Sequence, residues 1–281
     1  MQLFFIQLGY ELKKLFARKR TYIGFGAFLL VEMALLFLLN LPKPKRNFRN
    51  LIESHGYIFE RYFSGLTLGL LVLMWTMFLL GALYLALVAG DVVSKEIEEG
   101  TMRMMLCRPV SRARIVILKY LACVIYTFAL IGFIGLSALA TGSIYKGFGG
   151  LFVFAPMEKI VALHEMWPGL ARYFASLPLL ALCLTSITSL GFMFSCFNMK
   201  PAAATIVTLS IFFFDYIFHG IPYFESLAPY FLATHMSTWL HVFENYVPWW
   251  RVLEDFAYLF ALDATFVIIG LAAFQQRDFK A

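Results

Sequence analysis

The chain has 281 residues, of which 61% are hydrophobic and only 14% charged. Soluble domains carry roughly 25% charged residues, so a water-soluble enzyme or binding module is excluded. The net charge of +6 comes from basic residues grouped at the ends of apolar runs, not from the interleaved basic face that nucleic acid requires.

Residues 3–20 read as an amphipathic helix. Leu8, Leu12, Leu15 and Phe16 recur at helical spacing, and Lys13, Lys14, Arg18, Lys19 and Arg20 crowd its second half. A basic amphipathic helix ahead of a span lies in the membrane interface. The stretch from Met1 to Gly9 is too short for a secretory signal, and its basic residues follow it.

Six apolar runs come next, at 22–41, 65–90, 115–141, 171–196, 202–220 and 256–274, each near the ~20 residues that cross a hydrocarbon core. Only Phe197 to Pro201 separates the fourth from the fifth, a tight hairpin with Pro201 opening the next helix. Of the intervening segments, 42–64 is charged and polar, and 142–170 is expected to hold a short helical piece around Pro156 to Glu165. The segment 221–255 carries Tyr223, Phe224, Tyr230, Phe231, Trp239, Phe243, Tyr246, Trp249 and Trp250. That aromatic density suits the headgroup zone and predicts short helices lying flat or re-entering the bilayer. No internal repeat is visible, which argues against secondary transporters built from inverted repeats.

With the N-terminus inside, the inner segments hold Lys13, Lys14, Arg18, Lys19, Arg20, Lys95, Arg103, Arg108, Arg112, Arg114, Lys119, Lys200, Arg277 and Lys280. The outer ones hold Lys43, Lys45, Arg46, Arg49, Arg61, Lys146, Lys159, Arg172 and Arg251. The excess of Lys and Arg places both termini in the cytoplasm. The expected fold is an all-α integral membrane protein forming a single transmembrane domain over 1–281. It divides into an interface helix at 1–21, spans one and two at 22–90, a cytoplasmic segment at 91–114, spans three to six at 115–274 and a tail at 275–281.

The segment from Asp91 to Lys119 is the dense charged island between the second and third runs. It reads in order Glu96, Glu98, Gly100, Thr101, an apolar stretch, Pro109, Val110, Ser111, Arg112, and then Lys119 opening the next span. This order resembles the cytoplasmic coupling segment of the ATP-binding-cassette type-2 permease family. Cys107 and Arg108 stand where that family more commonly has small or apolar residues. The physical reading of the segment agrees with a docking element. Met102, Met104, Met105 and Leu106 form an apolar knob, and methionine adapts to an irregular groove. Gly100 permits a sharp turn, Thr101 is placed to cap a short helix, and Pro109 is placed to end it. Arg108, Arg112 and Arg114 suit acidic groups on a partner or anionic lipid. Glu96, Glu98, Gly100, Thr101, Met102, Met104, Met105, Pro109 and Arg112 are therefore the candidate coupling residues. An ordinary positive-inside loop explains the arginines, but not the acidic residues before Gly-Thr nor the methionines.

The resemblance implies a permease subunit working with a separate ATPase and a second permease, a copy or a relative, in a bacterial or archaeal cell (inner) membrane. It implies export of a lipid, glycan, peptide or drug-like molecule, with ATP and magnesium held by the partner. This chain has no GxxxxGK[ST] phosphate cradle, so it is expected to bind no nucleotide and to carry no cofactor. The remaining partners expected are membrane lipids, not nucleic acid.

Glu32 lies midway along the first run, where an ionisable group is costly and marks a functional candidate. With Asp215 and Asp263 it forms the candidate translocation path, against the alternative of helix–helix ties. A membrane-embedded enzyme is a rival reading, resting on His164-Glu165, His235, His241 and Glu244, but His164 lacks the second histidine of HExxH and Pro168 breaks the helix that motif needs. A non-transporting accessory membrane protein is a third. Cys107, Cys123, Cys183 and Cys196 form no CxxC pair and read as small apolar fillers.

Overall fold

The computed structural model describes residues 2–54, 56–107, 110–158 and 160–277. The amphipathic N-terminus forms helix α1 (Gln2–Phe16) and breaks at Ala17 and Arg18, so Lys19 and Arg20 open the next helix, α2 (Lys19–Leu39). The polar stretch after it is helical as well, in α3 (Pro42–Ser54) and the single turn α4 (Phe59–Tyr62). The second apolar run is built in pieces: α5 (Gly65–Thr76), a π turn at Met77–Gly81, and α6 (Ala82–Glu98). It reaches eight residues beyond the expected end at 90, into the charged island.

After a short helix α7 (Thr101–Leu106) the chain enters α8 (Arg112–Lys146), capped by the Ser111 hydroxyl, which accepts from the Arg114 N–H. Then come α9 (Met166–Cys196), α10 (Pro201–His219), α11 (Leu232–Met236) and α12 (Trp249–Gln276). Pro201 opens α10 at its first turn, where the missing N–H costs nothing. Five helices, α2, α8, α9, α10 and α12, are each long and apolar enough to cross a membrane. The α5–α6 run reaches that length only across its π turn.

Of the helical piece expected at Pro156–Glu165, only Pro156–Glu158 is helical, as a 3-10 turn, and Ile160–His164 is a strand. Strand β1 (Leu151–Ala155) pairs antiparallel with β2 (Ile160–His164), joined through a 3-10 turn at Pro156–Glu158. Ile160, Ala162 and His164 are buried while Val161 is exposed, an alternation of period two that only a strand satisfies. The described residues are thus all-α apart from this hairpin and a lone bridge between Phe63 and Leu151, and the hairpin covers the ends of α5 and α9.

Inside lipid, apolar side chains gain little by leaving one apolar neighbour for another, so helix contacts depend on close backbone approach and polar ties. Both are present. A Cβ added to Gly142 would stand 2.6 Å from the Gly65 carbonyl oxygen, so α5 and α8 cross at a distance only glycine allows. The centre is α9, whose apolar window is 78% buried, with α6, α8, α10 and α12 around it. Its Thr188 hydroxyl bonds Thr127 on α8 at 2.9 Å, Ser189 bonds Tyr120 at 2.9 Å, and Thr185 donates to Asp263 on α12 at 3.0 Å.

Candidate functional site: the 96–112 turn and its charged clamp

Gly100 adopts φ +72°, the left-handed conformation that ends α6 and redirects the chain. The Thr101 hydroxyl does not cap the helix that follows. It donates to the Glu96 carbonyl at 3.1 Å and so closes the last turn of α6. The three methionines of α7 divide their work. Met102 is fully buried, Met105 packs against the core, and Met104 is 67% exposed. Of the methionines in the apolar knob expected from sequence, Met104 alone projects, on a rooted helix. Helix α7 ends at Leu106, and Pro109, expected to terminate it, lies outside the described residues with Arg108.

Of the acidic residues, Glu98 is exposed and Glu96 is not. Glu96 points inward, where one carboxylate oxygen takes Lys119 Nζ of α8 at 2.7 Å and also pairs with Lys14 of α1. Lys119 in turn pairs with Glu11 of α1 at 2.9 Å. The side chains of Lys119 and Glu96 are 1% and 2% exposed. Burial by itself works against the Glu96 charge, but Lys119 and Lys14 outweigh it and hold the carboxyl below its ordinary value. Arg20, at the start of α2, pairs with Asp91 on α6. Four ion pairs thus fasten α1, α2, α6 and α8 around the root of α7. Glu11, Lys14 and Lys119 were not among the site candidates from sequence. The signal was an acid on an otherwise basic helix and a lysine carried into an apolar run.

Arg112 faces away from this clamp. Its guanidinium donates to the carbonyls of Gln275 at 3.0 Å and Arg277 at 2.9 Å, joining the start of α8 to the end of α12. Arg277 donates to Phe197 O at 3.0 Å and Asn198 Oδ1 at 2.6 Å. The α9–α10 hairpin is thereby held at the same end of the bundle.

The three acidic candidates for a path lie at three separate contacts. Glu32 is fully buried on α2 and accepts from Ser137 of α8 at 2.7 Å. Asp263 accepts from Thr185. In each, the second oxygen has no hydrogen-bond partner among the described residues. Asp215 spends both oxygens on the backbone N–H groups of Leu232 and Ala233, at 3.0 and 2.7 Å, and so caps α11.

At the opposite end, the histidines do not converge. His164 Nε2 meets the Phe243 carbonyl at 2.7 Å, His235 Nδ1 meets Asp255 at 2.7 Å, and His241 Nδ1 meets Glu244 at 2.5 Å. Among the described residues no group of three or more His, Cys, Asp or Glu could hold a metal ion.

A bundle of long apolar helices, preceded by an amphipathic helix and rooted at one end by buried ion pairs, defines a multi-pass integral membrane protein. The chain belongs to the ABC-2 family of transporter proteins, whose pattern it matches over residues 8–279. It is a membrane component of a transporter of that family. Among curated proteins no relative matches it.

Proposed function

We propose that this chain is the permease subunit of an exporter driven by a separate ATPase, and that α7 is the element on which the ATPase acts. The observation that supports this best is the contrast within one short helix: Met104 projects while Met102, two residues away, is fully buried. A projecting methionine suits a groove that changes shape during a catalytic cycle. Rigidity at its root suits force transmission, because a push on α7 reaches α6 through Gly100 and reaches α1 and α8 through Glu96 and Lys119. Glu98, exposed beside the turn, is a further contact in this reading, while Arg112 ties the start of α8 to α12. The segment 91–114 then lies in the cytoplasm with both termini, and six crossings follow if the α5–α6 run is counted as one.

ATP and magnesium belong to the partner in this reading, and the permease works as a pair with a copy or a relative. The broadly unburied faces of α2, α10 and α12 are left for lipid and for that second subunit. The exported molecule is a lipid, glycan, peptide or drug-like compound, with Glu32 and Asp263 as the buried acidic groups closest to a path. A membrane-embedded enzyme has less support, since His164, His235 and His241 are each taken by a different partner.

Met104→Asp tests the docking role without disturbing the core. The variant should fold and insert normally yet lose co-purification with its ATPase, or keep ATP hydrolysis without transport. Full complex yield together with full transport would remove α7 from the interface. Met105→Asp is the poorer probe, because that side chain also packs against the core.

A further inference from the structure

Helix α3 has a face that neither the fold nor the transport reading uses. At about 100° per residue, Pro44, Phe48, Leu51 and Ile52 fall on one stripe, while Lys43, Arg46 and Arg49 spread over the opposite side and Lys45 borders the stripe beside Ile52. The apolar stripe is consumed by the protein itself. Ile52 is fully buried in a cluster with Leu36, Phe59, Tyr62, Phe63 and Phe152, and Phe48 and Leu51 pack against that cluster. The basic side is left outward, with Lys43, Arg46 and Arg49 exposed and Lys45 half-buried.

Its charge is largely unmatched. Four basic residues against Glu53 leave the helix at +3, and Glu53 stands 3.9 Å from Arg49. Among the described residues Lys43, Lys45 and Arg46 have no acidic partner. Two more observations extend the patch. Arg49 lies 4.9 Å over the Phe59 ring and Lys146, from the end of α8, lies 5.8 Å over Phe63, so both cations border the stacked Phe59–Phe63 pair.

The depth of this patch is fixed by geometry. Helix α2 has 21 residues, roughly 30 Å of helix, which is the thickness of a hydrocarbon core. It ends at Leu39, and α3 begins at Pro42. Ile52 of α3 and Leu36 of α2 share one buried cluster and the two helices pack together, so α3 folds back beside the last turns of α2 and does not project into solution. A row of cations at that level stands among lipid headgroups.

We infer that the basic face of α3, with Lys146 beside it, is a binding surface for anionic phospholipid headgroups, recognised through their phosphates. A protein partner is disfavoured because the apolar stripe that such a partner would need is already packed. Cations held at a membrane surface attract anionic lipid, so three lysine and arginine side chains without an acidic partner suffice for a several-fold enrichment.

The test uses the full chain in nanodiscs with its exposed Cys107 replaced (Cys107→Ser) and a fluorophore on Asn50→Cys, at an exposed position on α3. Quenching by headgroup-spin-labelled phosphatidylglycerol is compared with quenching by the same label on phosphatidylcholine. The parent should show several-fold stronger quenching by the anionic lipid. Lys43→Gln/Lys45→Gln/Arg46→Gln should abolish the difference, and Lys43→Arg/Lys45→Arg/Arg46→Lys should keep it. Equal quenching by the two lipids in the parent, or a preference that survives the glutamine variant, would overturn the inference. So would displacement of the preference by millimolar inorganic phosphate, which would make the patch a soluble-anion site.

Discussion

Lys119 is the cation carried deepest into α8 from its Arg112 end, and an ammonium buried to 1% exposure is tolerable only beside Glu96 and Glu11. Removing it leaves Glu96 buried with the half-exposed Lys14 alone. Lys119→Met should therefore destabilise the protein by about 3 kcal/mol, measured by thermal unfolding of the purified chain. Adding Glu96→Gln should recover part of that loss, which a packing effect of the introduced methionine would not allow. The sign of the pH dependence follows from Glu96. Its carboxyl is held below the ordinary 4.5, so the stabilisation is fully present above that value and lost as the pH falls through the folded one. The clamp should be indifferent to pH between about 5 and 8 and open in acid. Asp215 shows the contrasting case. It was a path candidate on sequence, yet its two oxygens are occupied as a helix cap, and nothing local to Asp215 announces the backbone 17 residues away that it meets.

Helix α11 is held at both of its ends by side chains from longer helices. Asp215 of α10 caps its start, and Asp255 of α12 meets His235 near its finish while also accepting from Thr238. Burial alone would lower the His235 pKa, but the Asp255 carboxylate and the Pro229 carbonyl more than offset it and hold the imidazole above 6.5. The stabilisation from the charged imidazole is therefore fully present below 6.5 and lost as the pH rises through the folded His235 value. Amide exchange across Leu232–Met236, corrected for intrinsic rate, should show protection smaller by on the order of 1 kcal/mol at pH 8.5 than at pH 6. His235→Gln should erase that difference. Unchanged protection in the parent would mean that Asp215 holds α11 unaided.

At the scale of the whole molecule, the ion-paired end and the hairpin end are opposite faces of one bundle, and the proposed orientation sets the former in the cytoplasm. With Cys107→Ser as background, Asn50→Cys and Tyr246→Cys should react with an impermeant thiol reagent in intact cells, and Met104→Cys should not. Tyr246 is suitable because it is 92% exposed, whereas the nearby Leu240 is only 7% exposed and would stay silent on either side. The reverse pattern would invert the molecule. The cations of α3 make this measurement worth doing. Counting these four, the outer segments of the proposed orientation hold nine of the 23 lysines and arginines, so charge counting alone decides orientation by a modest margin.

Membrane insertion was legible from composition and run length, because the cost of burying charge in hydrocarbon acts on every residue regardless of its neighbours. The turn at Gly100, the start of α10 at Pro201 and the amphipathic α1 were equally legible, since each depends on contacts within a few positions of chain. The hairpin at 151–164 was not legible, because Leu151–Ala155 and 160–163 are continuously apolar and the alternation of β2 is one of burial, which only the packed structure shows. The inward aim of Glu96, the donation from Thr101 to α6 and the cap supplied by Asp215 were decided only by tertiary structure. So was the division of the methionines into one exposed and two packed. A carboxylate in a charged segment reads the same from sequence whether it meets an ATPase or a lysine of its own chain. Lys14 and Lys119 are 82 and 23 residues from Glu96, and only the packing of α1 against α8 brings them to it.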